Sequence, residues 1–549
     1  NTGSLDKHIN KRATLSYRLD LDQHRILPNF RLGWGDYRFG GLCQKSNYSQ
    51  KLIATRLVNA TPIPNNPAAN PLNNNANRVS RRYYLQPGDT AFQLRGPLTY
   101  SFPAVLGNTS ANTGPVTVEE RMSDEAPRNE RRDTTSLVAV VQGAWWRSKD
   151  DSFHHLTGLY GWRQDERRAV AQSFARNAAG EYALPVNPSR AYHLIEETGT
   201  WGAPSEITAR TKSYNATFRP ISPLRIFYNY SDIFRDPAAN FNDVRGNPLR
   251  AAFGETEDYG IKVDLFNERL FLSVTKFDTA VVDTSTDNTG TLREPLNQLL
   301  NAIQQNGNPS AADAAVVATQ LDNLVRPFTY RDDTTTGYEY ALTARILPNW
   351  NVRATFGIQN TIVSAAFDEW VPYFEEFHPF WEKYATVPLV TQSSGYTTVA
   401  NAIARADQRL VDQRAIIGQR PTDQRSRNSS LNTTYSFDEG VLKGLRVGGG
   451  YRWRSSNALG YARDSAGNLD RNKPFIGPEE FSVDFNLGYS RKIWRGKFTW
   501  DIQLNVYNLL DDQDIKPRQA VDDGKGNPIV VRTYLIEPRT FQLTNTLRF

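Results

Sequence analysis

The chain has 549 residues, a net charge of +6 and 39% hydrophobic residues, with a mean hydropathy of −0.57. It contains no run of about 18 or more apolar residues, which excludes a membrane-spanning helix. The single cysteine, Cys43, excludes an internal disulfide framework and a cysteine-rich metal site. The basic residues are scattered and their excess is small for this length, so nucleic acid is not an expected partner.

Short segments in which apolar and polar residues alternate begin the chain. In residues 14–21 the apolar side chains occupy every second position, a period that predicts a β-strand. Residues 22–25 predict a polar turn, and residues 26–39 have the pattern of the next strand. Residues 40–133, rich in Asn, Pro and Arg, then predict a long loop.

The alternation of a tight join with a long one continues to the end of the chain. Tight joins are predicted within the strand pairs 134–147 and 152–165, 209–218 and 224–234, 257–265 and 270–278, 334–346 and 351–364, 427–437 and 445–454, and 481–493 and 497–510. Long loops separate these pairs, among them residues 166–208, 279–333 and 366–426. Residues 296–324, within one of the loops, have helical character.

This regular order of joins predicts the architecture. With a last strand at residues 540–549, about 15 strands result, with tight turns at one end and long loops at the other. A soluble sandwich has no reason to sort its loops by length, whereas an outer-membrane barrel has short periplasmic turns and long extracellular loops. Trp350 and Trp494, beside tight turns, fit an interfacial girdle. The sequence therefore predicts an all-β fold, a transmembrane antiparallel up-and-down β-barrel over residues 1–549.

Two stretches resemble the TonB-dependent outer-membrane receptors. The first comprises residues 215–234, the segment Gly246-Asn247-Pro248-Leu249, residues 254–266 (GETEDYGIKVDLF) and residues 269–274 (RLFLSV). The second, at the end of the chain, comprises residues 505–512 (NVYNLLDD), residues 537–541 (EPRTF) and Phe549. In spacing, the resemblance covers most of the chain.

The resemblance implies active, TonB-driven uptake of a scarce large solute across the outer membrane: a ferric siderophore, cobalamin or an oligosaccharide. It also implies three partners, namely outer-membrane lipid, the TonB complex acting through a plug domain, and the barrel-assembly machinery. That machinery reads the last strand of outer-membrane barrels. The corresponding assembly signal in this chain comprises Phe541, Leu543, Leu547 and Phe549.

The chain departs from the family pattern in two respects. Family members carry an N-terminal TonB box and a globular plug inside a 22-stranded barrel, whereas we find neither box nor plug, and the strands are too few. Asn1 is not an initiator methionine, and no signal peptide is present. We therefore expect the C-terminal portion of such a receptor, a partial barrel without its plug domain.

An aromatic stretch stands out in the loop at residues 366–426. Its aromatic side chains recur at three- and four-residue spacing, which predicts an amphipathic helix at residues 367–384. One hypothesis is a lid or platform that stacks on a bound solute. The alternatives are packing against neighbouring loops and contact with a surface or periplasmic partner protein. The residues concerned are Trp370, Tyr373, Phe374, Phe377, Phe380, Trp381 and Tyr384.

Five arginines are candidates for the lumen of the barrel. Each occupies the polar parity of its predicted strand, opposite the apolar positions, and would therefore project inward. Such a set can attract an anionic solute or pair with carboxylates of a plug, and the plentiful polar contacts between plug and wall in the family favour plug pairing. The residues are Arg345, Arg353, Arg446, Arg452 and Arg454.

Patterns of catalysis and metal binding are missing from the sequence. The six histidines show no His-Glu-x-x-His spacing, and the adjacent His154 and His155 would point to opposite faces of a strand. No nucleophile–base arrangement is recognisable. We expect neither an enzyme, a cofactor nor a metal site.

Other functions remain open on the sequence alone. A plugless, passive porin would bind no TonB and would need only a constriction of charged residues. In a structural or adhesive surface protein the barrel would be an anchor, and the loops at residues 40–133 and 366–426 would carry the contacts. An outer-membrane barrel enzyme is the least favoured alternative.

Overall fold

The computed structural model describes residues 2–20, 35–59, 99–101, 115–122, 128–147, 153–174, 199–235, 241–287, 289–422, 424–465, 467, 469–495 and 497–549. The chain divides into two compact units, each assembled from several segments. The first comprises Asn1–Leu15, Gly40–Ala139 and Arg163–Arg210. The second comprises Ser16–Phe39, Val140–Trp162 and Thr211–Phe549.

Strands dominate the described part of the chain. Long strands of the main sheet are β1 (Thr2–Asp20), β2 (Gly35–Asn59), β5 (Arg128–Arg147), β6 (His154–Ser173), β8 (Ser205–Ile221), β9 (Leu224–Arg235), β10 (Ala252–Leu265), β11 (Leu270–Thr286), β12 (Thr329–Leu347), β13 (Trp350–Ala366), β16 (Arg427–Ser436), β17 (Leu445–Arg454), β20 (Glu480–Ile493), β21 (Phe498–Tyr507) and β24 (Thr540–Arg548). Shorter strands are β3 (Thr99–Ser101), β4 (Pro115–Met122), β7 (Thr200–Trp201), β14 (Pro388–Ser393), β15 (Tyr396–Thr398), β18 (Ala458–Arg463), β19 (Leu469–Ile476), β22 (Ile515–Asp522) and β23 (Pro528–Leu535).

Buried polar side chains connect β5 and β6 in the first unit. Ser136 Oγ donates to Asp165 Oδ1 at 2.5 Å, and Asn129 Nδ2 donates to Gln172 Oε1 at 2.7 Å. All four residues are buried. Because a buried polar group is costly without a partner, these bonds fix how the two strands align.

The strands of the second unit form an antiparallel meander. Each strand pairs with the next long strand of the chain, in the order β8, β9, β10, β11, β12, β13, β16, β17, β20, β21 and β24. Further pairings join β1 to β2, β2 to β5 and β6 to β8. The described strands therefore form the predicted all-β, antiparallel up-and-down sheet, and the predicted fold class is confirmed.

The register divides the meander into two chemically different faces. Residues directly opposite each other lie on the same face of a sheet. On one side Leu504 faces Leu487 and Leu543, whereas on the other Gln503 faces Gly488 and Thr544. The apolar face is the side that carries Ile261, Leu342 and Leu504, and the polar face is the side that carries Thr275, Arg353 and Gln503.

The joins of the meander are tight at one end and long at the other. Residues 266–269 join β10 to β11 through positive φ angles at Phe266, Asn267 and Glu268, and residues 494–497 join β20 to β21 through positive φ at Trp494 and Arg495. Such left-handed residues give two strands the twist that a short hairpin needs. All described secondary structure inserted between strands lies at the opposite end, so the predicted sorting is confirmed for the joins that the structure describes.

Four helices occupy two of the long joins. They are α1 (Gly290–Asn306) and α2 (Ala311–Asn323) between β11 and β12, and α3 (Trp370–Glu382) and α4 (Val399–Arg414) between β13 and β16. Together with the β14–β15 hairpin they enclose one hydrophobic core, and we call this assembly the loop helix cluster. No described helix is long and apolar enough to cross a membrane.

Local sequence explains where these helices begin and which face they bury. In α1 the buried residues Leu292, Leu296, Leu299 and Ile303 recur at three- and four-residue spacing. Ser310 accepts a hydrogen bond from the Asp313 backbone at 3.1 Å and caps α2. The predicted helical character of residues 296–324 is thus realised as two helices, separated by residues 307–310.

Two further loop hairpins pack on each other. The β18–β19 and β22–β23 hairpins share a small core of Leu459, Ala462, Phe475 and Ala520. A Cβ atom at Gly460 would lie 2.1 Å from the carbonyl oxygen of Ala520, so only glycine allows this approach.

Several strands extend beyond their predicted ends. β2 continues to Asn59, β11 continues to Thr286 and β12 begins at Thr329, each inside a stretch that the sequence assigns to a long loop. Backbone pairing with the neighbouring strand, which composition does not reveal, sustains these extensions. Three predictions lie wholly or partly outside the described residues: the turn at residues 22–25, most of the strand at residues 26–39, and parts of the loops at residues 40–133 and 166–208.

Candidate functional site

The five arginines that the sequence places in the lumen all lie on the polar face. Arg353 is opposite Thr343 and Asn432, Arg446 is opposite Gly488, and Arg452 is opposite Ser482. Arg345 is opposite Asn351 and Arg454 is opposite Asn428, on the same face. In an up-and-down membrane barrel the polar face is the interior one.

Carboxylates neutralise two of these arginines. Arg452 lies 2.8 Å from Asp484, and Arg454 lies 3.6 Å from Glu480. Among the described residues, no ion pair is found for Arg345, Arg353 or Arg446. These three lie toward the tight turns, so the uncompensated positive charge of the set is at that end of the polar face.

A partly buried ion pair marks the other end of the polar face. Arg425 binds Glu480 and also donates to the carbonyl oxygen of Pro478 at 2.9 Å. The Tyr534 hydroxyl donates to the same Glu480, and burial together with this bond raises the pKa of Tyr534. The alternation of polar and apolar residues in the sequence did not reveal this arrangement, because Arg425 precedes β16 and Tyr534 lies on the β22–β23 hairpin.

A cavity of about 550 Å³ opens beside this ion pair. Its walls include Thr355, Gln359 and Asn428 from β13 and β16, and Arg425, Arg452 and Arg454. Side-chain amides, hydroxyl groups and guanidinium groups all donate hydrogen bonds, so the cavity suits a solute rich in oxygen atoms or negative charge. The described residues contain no group of three or more potential metal ligands.

The aromatic stretch forms α3, and most of its rings are inside the loop helix cluster. Trp370, Tyr373, Phe374 and Trp381 are buried, while Phe377, Phe380 and Tyr384 are partly buried and pack on the same core. Burial raises the pKa of Tyr373. The alternative of loop packing accounts for the four buried rings, which are not accessible to a solute in this conformation.

Residues of the expected assembly signal lie on the apolar face of the last strand. Phe541, Leu543 and Leu547 face Val506, Leu504 and Trp500 of β21, and all three are exposed. Asn545 interrupts this apolar parity, and its Oδ1 accepts a hydrogen bond from Trp500 Nε1 at 2.6 Å. Phe549 is 98% exposed and lies 6.4 Å from Phe498, between ring centroids. Exposed apolar side chains in this position suit contact with lipid.

Comparisons of the amino-acid sequence do not assign the chain to a family. No protein-family model matches it, and no curated protein matches it.

Solved structures, by contrast, match it over nearly its whole length. The ferric-catecholate import receptor Fiu of E. coli K12, in its closed form, aligns with a TM-score of 0.50 and 14% identity over 99% of this chain and 54% of that one. The siderophore receptor PiuA of Acinetobacter baumannii aligns with a TM-score of 0.50 and 14% identity over 100% of this chain and 56% of that one. The chain thus spans about half the length of each receptor. At this identity the likeness establishes the fold, and the chain has the fold of a TonB-dependent receptor barrel.

Proposed function

We propose that the chain forms part of the wall of an outer-membrane receptor that takes up a ferric siderophore with energy from TonB. The observation that carries the proposal is the alignment of 99–100% of the chain with Fiu and PiuA. The polar cavity near Arg425 and the arginines of the polar face supply donors for an anionic iron chelate. Cobalamin and oligosaccharides are the competing solutes, and neither aligned receptor is named for one.

The uncompensated arginines have a role within this proposal. Arg345, Arg353 and Arg446 are exposed on the polar face, where their charge is available to an anionic partner. Carboxylates of a plug domain are the favoured partners, and the solute itself is the alternative. Arg452 and Arg454 are less available for either role, because Asp484 and Glu480 already bind them.

The remaining partners follow from the two faces and the last strand. Outer-membrane lipid covers the apolar face in this proposal, and the exposed Trp494 beside a tight turn lies at the membrane interface. The barrel-assembly machinery recognises the last strand, β24, together with Phe549. TonB acts through a plug that belongs to the receptor and is not formed by the described residues.

Uptake of labelled iron tests the proposal. The gene is deleted in the producing bacterium, and accumulation of radioactive iron from a panel of siderophores is measured under iron limitation, with and without a complementing copy. We expect uptake of at least one siderophore to require both the gene and a functional TonB. Labelled cobalamin and labelled oligosaccharides are the comparison solutes.

The rival functions predict different outcomes. A passive porin would admit small solutes equally well without TonB, and the purified protein would give ion conductance in a planar bilayer. A surface adhesion protein would leave the uptake of all three solute classes unchanged by the deletion. Either result would refute the uptake proposal.

A further inference from the structure

A cleft of about 350 Å³ lies on the loop helix cluster, away from the polar face. Ala315, Val316 and Thr319 of α2 form one wall, and Tyr373 and Phe377 of α3 form the other. Arg245, in the turn that precedes β10, closes one end. This volume is within the range of small-molecule sites.

The walls of the cleft are mainly apolar, and their one cation is already paired. The rings of Tyr373 and Phe377 are 4.8 Å apart between centroids and tilted by 53°, and Phe377, the less buried of the two, is the aromatic ring that a ligand can contact. Arg245 Nη1 lies 2.5 Å from Glu376 Oε2, and its guanidinium carbon lies 5.9 Å from the Tyr373 ring centroid. Because Glu376 neutralises Arg245, the cleft favours a neutral ligand over an anion.

Gln320 supplies a polar group that lacks a partner. Its Oε1 accepts hydrogen bonds from Tyr373 Oη at 3.2 Å and from Trp381 Nε1 at 3.1 Å, which fixes the orientation of the amide. Its Nε2 is buried and has no hydrogen-bond partner among the described residues. A buried donor without a partner is unfavourable, so an acceptor that reaches it is favoured.

We propose that the cleft binds a small neutral molecule with an aromatic or branched apolar body and a carbonyl oxygen. The apolar body lies between Val316 and Phe377, and the carbonyl accepts a hydrogen bond from Gln320 Nε2. Neighbouring atoms cover this nitrogen in the structure, so a lining side chain turns aside when the ligand binds. Phe377 is only partly buried, whereas Tyr373 is buried, so Phe377 is the aromatic side chain that moves in this proposal. This site is independent of the proposed uptake function.

A matched pair of probes separates the two parts of the proposal. Acetophenone carries the carbonyl oxygen, and 2-phenylpropene has the same skeleton with a methylene group in place of that oxygen. Binding of each to the purified protein is measured by saturation-transfer NMR, with the same detergent concentration throughout. We expect acetophenone to bind about fivefold more tightly, because only the ketone satisfies Gln320.

Variants of α2 distinguish binding in the cleft from partition into detergent. Ala315→Trp fills the cleft from an exposed position, whereas Ala318→Trp places the same ring on the exposed side of α2 outside the lining. We expect acetophenone to lose at least about tenfold in affinity for Ala315→Trp and to bind Ala318→Trp as it binds the unaltered protein.

Gln320→Met tests the hydrogen bond itself. We expect it to abolish the preference for acetophenone over 2-phenylpropene. If Gln320→Met fails to fold, the two tryptophan variants still decide whether the cleft binds the ligand. Equal affinities of Ala315→Trp and Ala318→Trp, or equal binding of the two probes to the unaltered protein, would overturn the proposal.

Discussion

Arg452 and Asp484 form an ion pair across β17 and β20, with 2.8 Å between Nη2 and Oδ2. Asp484 also accepts a hydrogen bond from the Asn508 backbone at 3.1 Å and is therefore held from two sides. On the same face, Arg446 faces Gly488, and no described carboxylate pairs with it. The two arginines thus share a strand and a face and differ in whether their charge is compensated.

This difference predicts unequal effects on uptake. We expect Arg446→Glu to lower the initial rate of siderophore uptake at least about tenfold, because it reverses a charge that is available to a plug or a solute. Arg452→Ala is expected to lower the rate less than about threefold. Arg491→Ala is the control, since Arg491 faces Trp500 on the apolar side. Equal losses for Arg446→Glu and Arg452→Ala would contradict the assignment.

Trp381 is expected to be the most sensitive position of the loop helix cluster. It is fully buried, and its Nε1 donates to Gln320. Trp381→Ala should destabilise the cluster by about 3–5 kcal/mol through the cavity that it leaves. Hydrogen exchange should accelerate in α1 and α4 while the strands β12 and β13 keep their protection. Phe380→Ala, at a partly buried position, serves as the milder comparison, and unchanged exchange in Trp381→Ala would refute the expectation.

Two glycines on neighbouring strands are expected to differ in how well they tolerate substitution by alanine. A Cβ atom at Gly337 would lie 2.3 Å from the carbonyl oxygen of Ile358 and 2.5 Å from the ring of Phe277. At Gly357 the nearest atom, 3.0 Å away, is the side-chain nitrogen of Asn428, which can move. Gly337→Ala should cost about 1–3 kcal/mol, and Gly357→Ala less than about 1 kcal/mol. Samples of each variant are heated to a series of temperatures and then run on a gel without further boiling, and the temperature at which the folded band disappears measures the stability of each variant. Equal temperatures for the two variants would count against this reasoning.

Glu369 predicts a pH dependence of the loop helix cluster. Burial raises the pKa of Glu369 above the usual 4.5 of glutamate, although the carboxylate accepts a hydrogen bond from the Tyr330 backbone at 3.2 Å. The folded state therefore holds the proton more tightly than the unfolded state. Its contribution to stability is complete below pH 4.5 and is lost as the pH rises through the raised value.

Glu369→Gln should remove this dependence. We expect the variant to melt at a higher temperature than the unaltered protein at pH 7 and at a similar temperature at pH 4. Glu375→Gln, at an exposed position of α3, is the control. A variant that is less stable at pH 7 would show that the charge of Glu369 stabilises the cluster.

The sequence contained enough information for the strands and the order of their joins. A two-residue period depends only on which face is apolar, and residues such as Leu504 and Gln503 show it locally. The arginines of the polar face followed from the same parity. Pairing extended several strands past these patterns, because backbone hydrogen bonds do not require alternation.

Contacts between distant segments could not be derived in this way. Glu480 meets Arg425 and Tyr534, which are separated from it by 55 and 54 residues, and no local pattern links the three. The aromatic spacing of α3 predicted a helix but left its partner open. One partner is α2, which belongs to a different loop and whose Gln320 accepts hydrogen bonds from Tyr373 and Trp381.

The shared core of the two helical loops limits how these loops can be transferred from one protein to another. The helices α1 and α2 precede the β12–β13 hairpin, and α3 and α4 follow it, yet Tyr384 binds Asp313 at 2.7 Å and Gln413 binds Thr291 at 2.9 Å. During synthesis α1 and α2 are made first, and their apolar faces are covered only after α3 and α4 have been made. One of these loops grafted alone into another barrel would contain only part of the hydrophobic core. The unit that can be transferred between proteins is therefore the two loops together with the hairpin between them.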